Sequence, residues 1–66
     1  MNIYVNGETK TVPEGFTAEQ LVELLALKGR RLAMEVNQEI VPRSTFANHI
    51  FQPEDAVEIV HAVGGG

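Results

Sequence analysis

The sequence contains no cysteine, and none of its apolar runs approaches the roughly 20 residues of a membrane-spanning helix. Without cysteine, neither a disulfide nor a cysteine-based zinc site can reinforce the fold. Residues 1–7 lack a basic segment followed by an apolar stretch, so they do not resemble a signal peptide. We therefore expect a soluble protein that works in the cytoplasm and does not contact a membrane.

Basic residues and histidines are also few. Five Lys and Arg residues accompany nine Asp and Glu residues, giving a formal net charge of −4. An acidic surface repels phosphate backbones, so we expect no nucleic-acid binding, and it favours an encounter with a basic patch on a protein. A metal site needs three or four convergent ligands. His49 and His61 do not supply them, so we expect no metal, and we expect His49 to pack on or cap a short helical segment.

The chain is too short for an enclosed active site. A domain of 66 residues buries only about 60% of the surface that its unfolded chain exposes, which leaves little room for a concave pocket. Ser44 and Thr45 have no legible histidine–carboxylate partners and are expected to be turn hydroxyls. We expect no catalysis, and we divide the chain into one domain, residues 1–63, and a flexible glycine tail, residues 64–66.

Periodicity predicts a hairpin followed by a helix. Apolar residues alternate over residues 1–5, and Asn6-Gly7 is typical of a type I′ turn before a returning strand that ends at Pro13. Thr17 and Gln20 form a potential capping box. The helix is expected from about Ala18 to Lys28, with Gly29 as the residue that ends it. Its core-facing stripe is predicted to contain Leu21, Leu24, Leu25 and Lys28.

Three further strands and a short helical turn are predicted after the helix. They comprise a strand with Leu32, Met34 and Val36, a turn at 37–39, an edge strand at Ile40-Val41, a helical turn over 44–50 anchored by Phe46 and Ile50, a turn at 52–55, and a strand from Val57 to Val63. One amphipathic helix must pack on one face of the sheet, which predicts an α+β, two-layer fold. The last strand is the most apolar, so we place it centrally, beside the first.

The face of the sheet opposite the helix is a candidate docking surface. If Ile3, Val5, Val57 and Ile59 face the helix, then four residues face outward: Tyr4, Glu58, Val60 and Ala62. Apolar residues on an open face are often scattered and without function. They can also form the centre of a docking patch rimmed by charge, and their closeness to the tail favours docking.

The chain ends in three glycines, Gly64 to Gly66. Taken alone, such a tail is either a frayed terminus or an arm that enters a narrow cleft, because glycine has no Cβ and allows close approach of the backbone. A phosphate-binding loop leads into the N-terminus of a helix. The given sequence ends at Gly66, so we do not expect these glycines to form such a loop.

Several segments together resemble the ubiquitin-like β-grasp sulfur carriers, and within them the thiamin-biosynthesis carriers of the ThiS family. They are residues 36–43 (VNQEIVPR), residues 47–50 (ANHI), Asp55 and residues 57–66 (VEIVHAVGGG). The resemblance covers essentially the whole chain and implies a mixed sheet with one main helix packed across one face. The family motif requires two terminal glycines, whereas this chain has three.

The resemblance also implies the chemistry. Gly66 would be adenylated and converted to a thiocarboxylate, while Gly64 and Gly65 thread into the partner. The implied partners are a ubiquitin-activating-type adenylyltransferase (ThiF-like) that uses ATP and Mg, a thiazole synthase (ThiG-like), and a sulfur donor protein. The chain itself would bind no cofactor and would be a protein cosubstrate. Two alternatives stay open: a carrier like the molybdopterin-synthase small subunit, and a ubiquitin-like docking module with an inert tail.

Overall fold

The computed structural model of the protein describes residues 1–61, and Ala62 to Gly66 lie outside the described part. The chain begins with a β-hairpin of β1 (Asn2–Val5) and β2 (Glu8–Thr11), in which Val5 pairs with Glu8. Asn6 and Gly7 both adopt left-handed conformations, with φ of 50° and 84°. Positive φ at both central residues defines the predicted type I′ turn, which is confirmed.

Helix α1 (Ala18–Leu24) begins at the predicted capping box. The Thr17 hydroxyl oxygen accepts a hydrogen bond from the Gln20 backbone N–H at 3.2 Å. In return, Gln20 Oε1 accepts one from the Thr17 backbone N–H at 2.9 Å. These two bonds satisfy backbone donors that the first helical turn leaves unpaired.

The predicted end of α1 at Lys28 and Gly29 is wrong, because the helix ends four residues earlier. Ala26 adopts the left-handed conformation, with φ of 58°. Its N–H donates to the Glu23 carbonyl, and the Leu27 N–H donates to the Val22 carbonyl at 2.9 Å. These two bonds form a Schellman motif. The motif brings Leu27 back onto the core, where it packs partly buried.

The predicted core stripe of α1 is also partly wrong. Leu24 is 59% exposed, and Lys28 lies beyond the helix in solvent. The residues that pack inward are Ala18, Leu21, Val22 and, partly buried, Leu25. They follow the spacing i, i+3, i+4 and i+7, which keeps one face of a helix against a sheet. The buried stripe therefore begins one helical turn earlier than predicted, at Ala18, and does not include Leu24.

After α1 come β3 (Leu32–Val36), β4 (Glu39–Val41) and a 3₁₀ helix (Arg43–Asn48). Phe46 anchors the 3₁₀ helix as predicted, at 6% exposure, but Ile50 is 52% exposed and does not. The anchor missed from the sequence is Phe51, which is 1% exposed. Ile50 and Phe51 lie in an extended segment that bridges to Thr17, so consecutive side chains point to opposite sides.

The five strands form one mixed sheet in the order β2-β1-β5-β3-β4. Strand β5 (Ala56–His61) runs parallel to β1 and antiparallel to β3, which confirms its predicted central position beside the first strand. Strand β4 lies at the edge, as predicted. The helix packs on one face, which confirms the α+β class with a mixed sheet and one main helix. The predicted last strand extended to Val63, and residues 62 and 63 lie outside the described range.

Two asparagine side chains, in the turns that follow β1 and β3, make hydrogen bonds that hold β5 in place. The Asn6 amide bonds to both backbone groups of Ile59, with its Oδ1 accepting from the N–H at 2.8 Å and its Nδ2 donating to the carbonyl at 3.1 Å. Asn37 donates to the buried Asp55 carboxylate at 2.9 Å and accepts from the Ala56 N–H at 3.0 Å. Backbone groups that would otherwise lack partners are thereby satisfied.

The core fills the space between α1, the 3₁₀ helix and one face of the sheet. Its members are Ile3, Val5, Val12, Ala18, Leu21, Val22, Leu32, Met34, Val36, Val41, Phe46, Phe51, Val57 and Ile59. Helix α1 has seven residues, and residues 1–61 contain no helix with the length and hydropathy that crossing a bilayer demands.

Candidate functional site

The open face of the sheet carries three of the predicted docking residues. Val57 and Ile59 are buried beneath the helix, whereas Glu58 and Val60 alternate with them and point the other way. Val60 is 55% exposed. Tyr4 lies between buried Ile3 and Val5 on β1 and faces the same side. The fourth docking residue, Ala62, lies outside the described residues, as do Gly64, Gly65 and Gly66.

Strand pairing places further residues on this face, among them Ala33, Glu35 and Ile40. Val60 pairs with Ala33, Glu58 pairs with Glu35, and Glu35 pairs with Ile40 on the edge strand. Directly paired residues share a face of a sheet. Ile40 is 76% exposed. The alternation of Leu32, Met34 and Val36 already placed Ala33 and Glu35 outward, but the register that brings them beside β5 is not visible in the sequence.

The open face combines exposed apolar side chains with carboxylates. Glu35 and Glu58 lie directly opposite each other on β3 and β5. Like charges in this position destabilise a sheet, and a cationic group from a partner would relieve the repulsion. Ile40 lies on the other side of Glu35, and Val60 lies two residues beyond Glu58. A recess of about 230 Å³ is lined by Tyr4, Glu35 and Glu58 among other residues.

Tyr4 is tied to a third carboxylate. Its hydroxyl donates to Glu54 Oε2 at 2.6 Å. This hydrogen bond, together with the negative charge of Glu54, raises the pKa of the Tyr4 phenol above its ordinary value. The bond links Tyr4 on β1 to the turn that precedes β5.

Two of the remaining candidate residues, His49 and Thr45, make structural contacts. His49 is the C-cap residue of the 3₁₀ helix and its N–H donates to the Phe46 carbonyl at 3.3 Å, so it caps that segment as predicted. Its ring packs edge-on against Phe51, with ring centroids 5.3 Å apart, and its Nε2 is buried without a hydrogen-bond partner among residues 1–61. The Thr45 hydroxyl donates to the Pro42 carbonyl at 2.7 Å, as a turn hydroxyl does. Within residues 1–61, no three His, Asp or Glu side chains converge as metal ligands would.

Comparison with known proteins connects this geometry to one family. Residues 2–66 match the model of the ThiS family. The sulfur carrier protein ThiS of Escherichia coli is 33% identical over 66 residues, with both chains covered completely. The crystal structure of a thiamine biosynthesis protein, ThiS, from Geobacter metallireducens superposes with a TM-score of 0.84 at 32% identity, again covering 100% of both chains. That structural match confirms the ubiquitin-like β-grasp fold.

Two longer relatives carry the name of an enzyme, thiazole synthase. Thiazole synthases of Magnetococcus marinus and Paramagnetospirillum magneticum are 36% and 38% identical over 66 residues. All of this chain aligns, but it spans only 20% of the length of either relative. A segment like the whole of this chain is therefore part of proteins that carry the name of thiazole synthase.

Proposed function

The chain belongs to the ThiS family, and from this membership we propose that it is a sulfur carrier in thiamin biosynthesis, with the carboxylate of Gly66 as the reactive group. One observation carries the proposal. The family match runs through Gly66, and the chain aligns over the full length of a relative named as a sulfur carrier protein. In this role the chain is a cosubstrate, and catalysis belongs to its partners.

The chemistry requires an activating enzyme. A carboxylate is a poor electrophile until one of its oxygens becomes a leaving group. We propose that a Gly66 carboxylate oxygen attacks the α-phosphorus of ATP, with Mg held by the enzyme, and that pyrophosphate leaves. We propose that a sulfur donor protein carries its sulfur as a cysteine persulfide, whose terminal sulfur attacks the acyl carbon as AMP leaves, giving an acyl disulfide. A second thiol then attacks the donor's cysteine sulfur, a disulfide forms on the donor side, and the thiocarboxylate of Gly66 leaves. Gly64 and Gly65 allow the tail to enter a narrow channel because they carry no Cβ.

Two partners follow from this scheme. A ThiF-like adenylyltransferase would activate Gly66, and a ThiG-like thiazole synthase would consume the thiocarboxylate. The second partner is supported by the relatives named thiazole synthase, in which a segment matching all 66 residues occupies a fifth of the polypeptide. Both partners are proposed to act in the cytoplasm.

The open face is proposed to dock these partners. Tyr4, Glu58, Val60 and Ala62 were predicted from the sequence, and the pairing of β3 with β4 and β5 adds Ile40 and Glu35. The patch combines exposed apolar side chains with two carboxylates on interior strands, and mixtures of apolar and polar groups are typical of protein interfaces. Docking the domain beside the tail raises the effective concentration of Gly66 at the active site.

Intact-mass measurement tests the proposal. The wild-type chain is incubated with the cognate adenylyltransferase, ATP, Mg and a sulfur donor, and we expect the mass increase of sulfur replacing oxygen at Gly66. Removing Gly66, or introducing Gly66→Leu, should abolish the increase. Thermal unfolding should hardly change, because a tail beyond the last strand adds little to a core.

The control for this experiment is the enzyme with a carrier that it is known to modify. An unchanged mass of the wild-type chain, with an enzyme that modifies that control, would refute the carrier role and favour a docking module with an inert tail. A large loss of stability on removing Gly66 would instead show that the tail is part of the folded domain.

A further inference from the structure

Four of the five basic residues of this acidic chain lie toward one end of the molecule. Of the five Lys and Arg residues, four lie in residues 28–43: Lys28, Arg30, Arg31 and Arg43. The fifth, Lys10, lies on β2 at the far edge of the sheet. Arg30 and Arg31 directly precede β3, whose first residue, Leu32, pairs with His61. The basic residues therefore lie beside the last described residue of β5.

A hydrogen bond draws the third arginine into this group. Arg43 Nη1 donates to the Arg30 carbonyl at 2.6 Å, across 13 residues of sequence. We call Arg30, Arg31 and Arg43 the basic cluster. All three are exposed. Within residues 1–61, the ion pairs are Lys10 with Glu8 and Lys28 with Glu23, so none of the three arginines is in an ion pair there.

We propose that the basic cluster binds carboxylates around the entrance of the channel through which the adenylyltransferase admits the tail. The proposal rests on the proposed function, because it assumes that residues 62–66 enter that enzyme. Arginine is suited to this task since its planar guanidinium can bind a carboxylate through two parallel hydrogen bonds. The positive charge of the cluster complements an acidic surface on the enzyme. The rest of the carrier is itself acidic and does not complement such a surface.

The length of the tail indicates whether the basic cluster binds the enzyme surface or the phosphates of the nucleotide. Gly66 lies five residues after His61, and five residues span at most about 17 Å when extended. A tail threaded into an active site would carry its reactive end deep into the enzyme, while the basic cluster beside His61 stays at the entrance. The phosphates that react with Gly66 would then be far from the arginines, and the enzyme surface at the entrance would be near.

The proposal gives the carrier two oppositely charged contact regions. The open face presents Glu35 and Glu58, and the basic cluster lies at the end of β5 that leads to the tail. Complementary charges of both signs fix the orientation in which two proteins meet and suppress inverted encounters. We therefore expect the cluster to act mainly on association rate, with an effect that salt weakens.

Charge reversal at single positions tests the proposal. The association of the full chain with the purified cognate adenylyltransferase is measured by stopped flow at low and high ionic strength. Arg31→Glu and Arg30→Glu should each slow association on the order of tenfold at low salt, with less effect at high salt. In steady-state assays they should raise KM for the carrier and leave kcat unchanged. Arg31→Lys should retain most of the wild-type rate.

Lys10→Glu is the matched control, because it changes the charge by the same amount on the opposite edge of the sheet. Arg43 is left intact, since its replacement would also remove the bond to Arg30. Equal effects of all three reversals, or none, overturn the proposal. If the wild type is thiocarboxylated and the arginine variants behave normally, only this inference fails. If the wild type does not bind the enzyme, both proposals fail.

Discussion

Tyr4 shows how one hydrogen bond shapes the open face. It is the single tyrosine of the chain, and its hydroxyl is bonded to Glu54 in the turn before β5. The bond requires the protonated phenol, and the Glu54 charge opposes formation of phenolate. Its contribution to stability is therefore complete below the pKa of an unfolded tyrosine and is lost as pH rises through the raised pKa of the folded state.

We predict that Glu54→Gln lowers the pKa of Tyr4 toward its ordinary value. The change removes the negative charge that opposes the phenolate. The measurement is a titration followed by phenolate absorbance in the ultraviolet, and no tryptophan overlaps the signal. Glu58→Gln is the control, because Glu58 lies on the same face but is not bonded to Tyr4. Equal pKa values in wild type and Glu54→Gln would show that the charge of Glu54 does not act on the phenol.

At the scale of elements, α1 was predictable at its start and not at its end. The capping box is local chemistry between Thr17 and Gln20, so the sequence alone shows it. The end depends on Leu27, which packs on the core only if Ala26 turns left-handed. Gly29 offered a more typical end, but tertiary packing overrode that local preference.

Ala26→Gly should therefore stabilise the protein by roughly 0.5–1 kcal/mol. A left-handed residue with a Cβ costs about 1–2 kcal/mol, and glycine removes this cost while losing some chain entropy. Chemical denaturation measures the change. Ala47→Gly, at an exposed position of the 3₁₀ helix without positive φ, is the control and should destabilise by roughly 0.5–1 kcal/mol. A loss of stability in Ala26→Gly would contradict the Schellman end of α1.

At the scale of the whole molecule, the helices within residues 1–61 form a single layer and leave the other face of the sheet uncovered by that part of the chain. Strand β5 is central yet buried on one side only, because α1 and the 3₁₀ helix both lie on that side. Val60 is exposed, as its predicted place on the docking face requires. Its exposure provides a test of the open face that does not involve the core.

We predict that Val60→Asp weakens binding to the proposed adenylyltransferase at least about tenfold, since it replaces an exposed apolar side chain of the patch with a charge. Exposed substitutions of this kind change the free energy of unfolding by about 0.5–1 kcal/mol. Calorimetric titration measures the affinity, and Ile40→Asp should behave alike. The matched control is Leu24→Asp, because Leu24 is 59% exposed but lies on the helix side. If both faces respond equally, docking is not specific to the open face.

As with the fold, some residues of the candidate site could be predicted from local sequence patterns and others could not. Tyr4, Glu58 and Val60 could be assigned to one face from period-2 alternation, because strand geometry is local. Ile40 could not be added, since its place beside Glu35 depends on the register of β4 against β3. Phe51 was missed and Ile50 chosen instead for a related reason. Two adjacent apolar residues in an extended segment cannot be told apart until a long-range pairing, here with Thr17, selects the inward one.

By itself, the sequence determined the features that neighbouring residues control: the type I′ turn at Asn6-Gly7, the capped start of α1, the alternation along each strand and the resemblance to a carrier family. Only the tertiary structure decided where α1 ends, which apolar side chains are buried, and that Glu35 faces Glu58. It also brought Arg43 to Arg30 beside the end of β5. These features depend on contacts between residues far apart in the chain, and such contacts form only when strands and helix pack together.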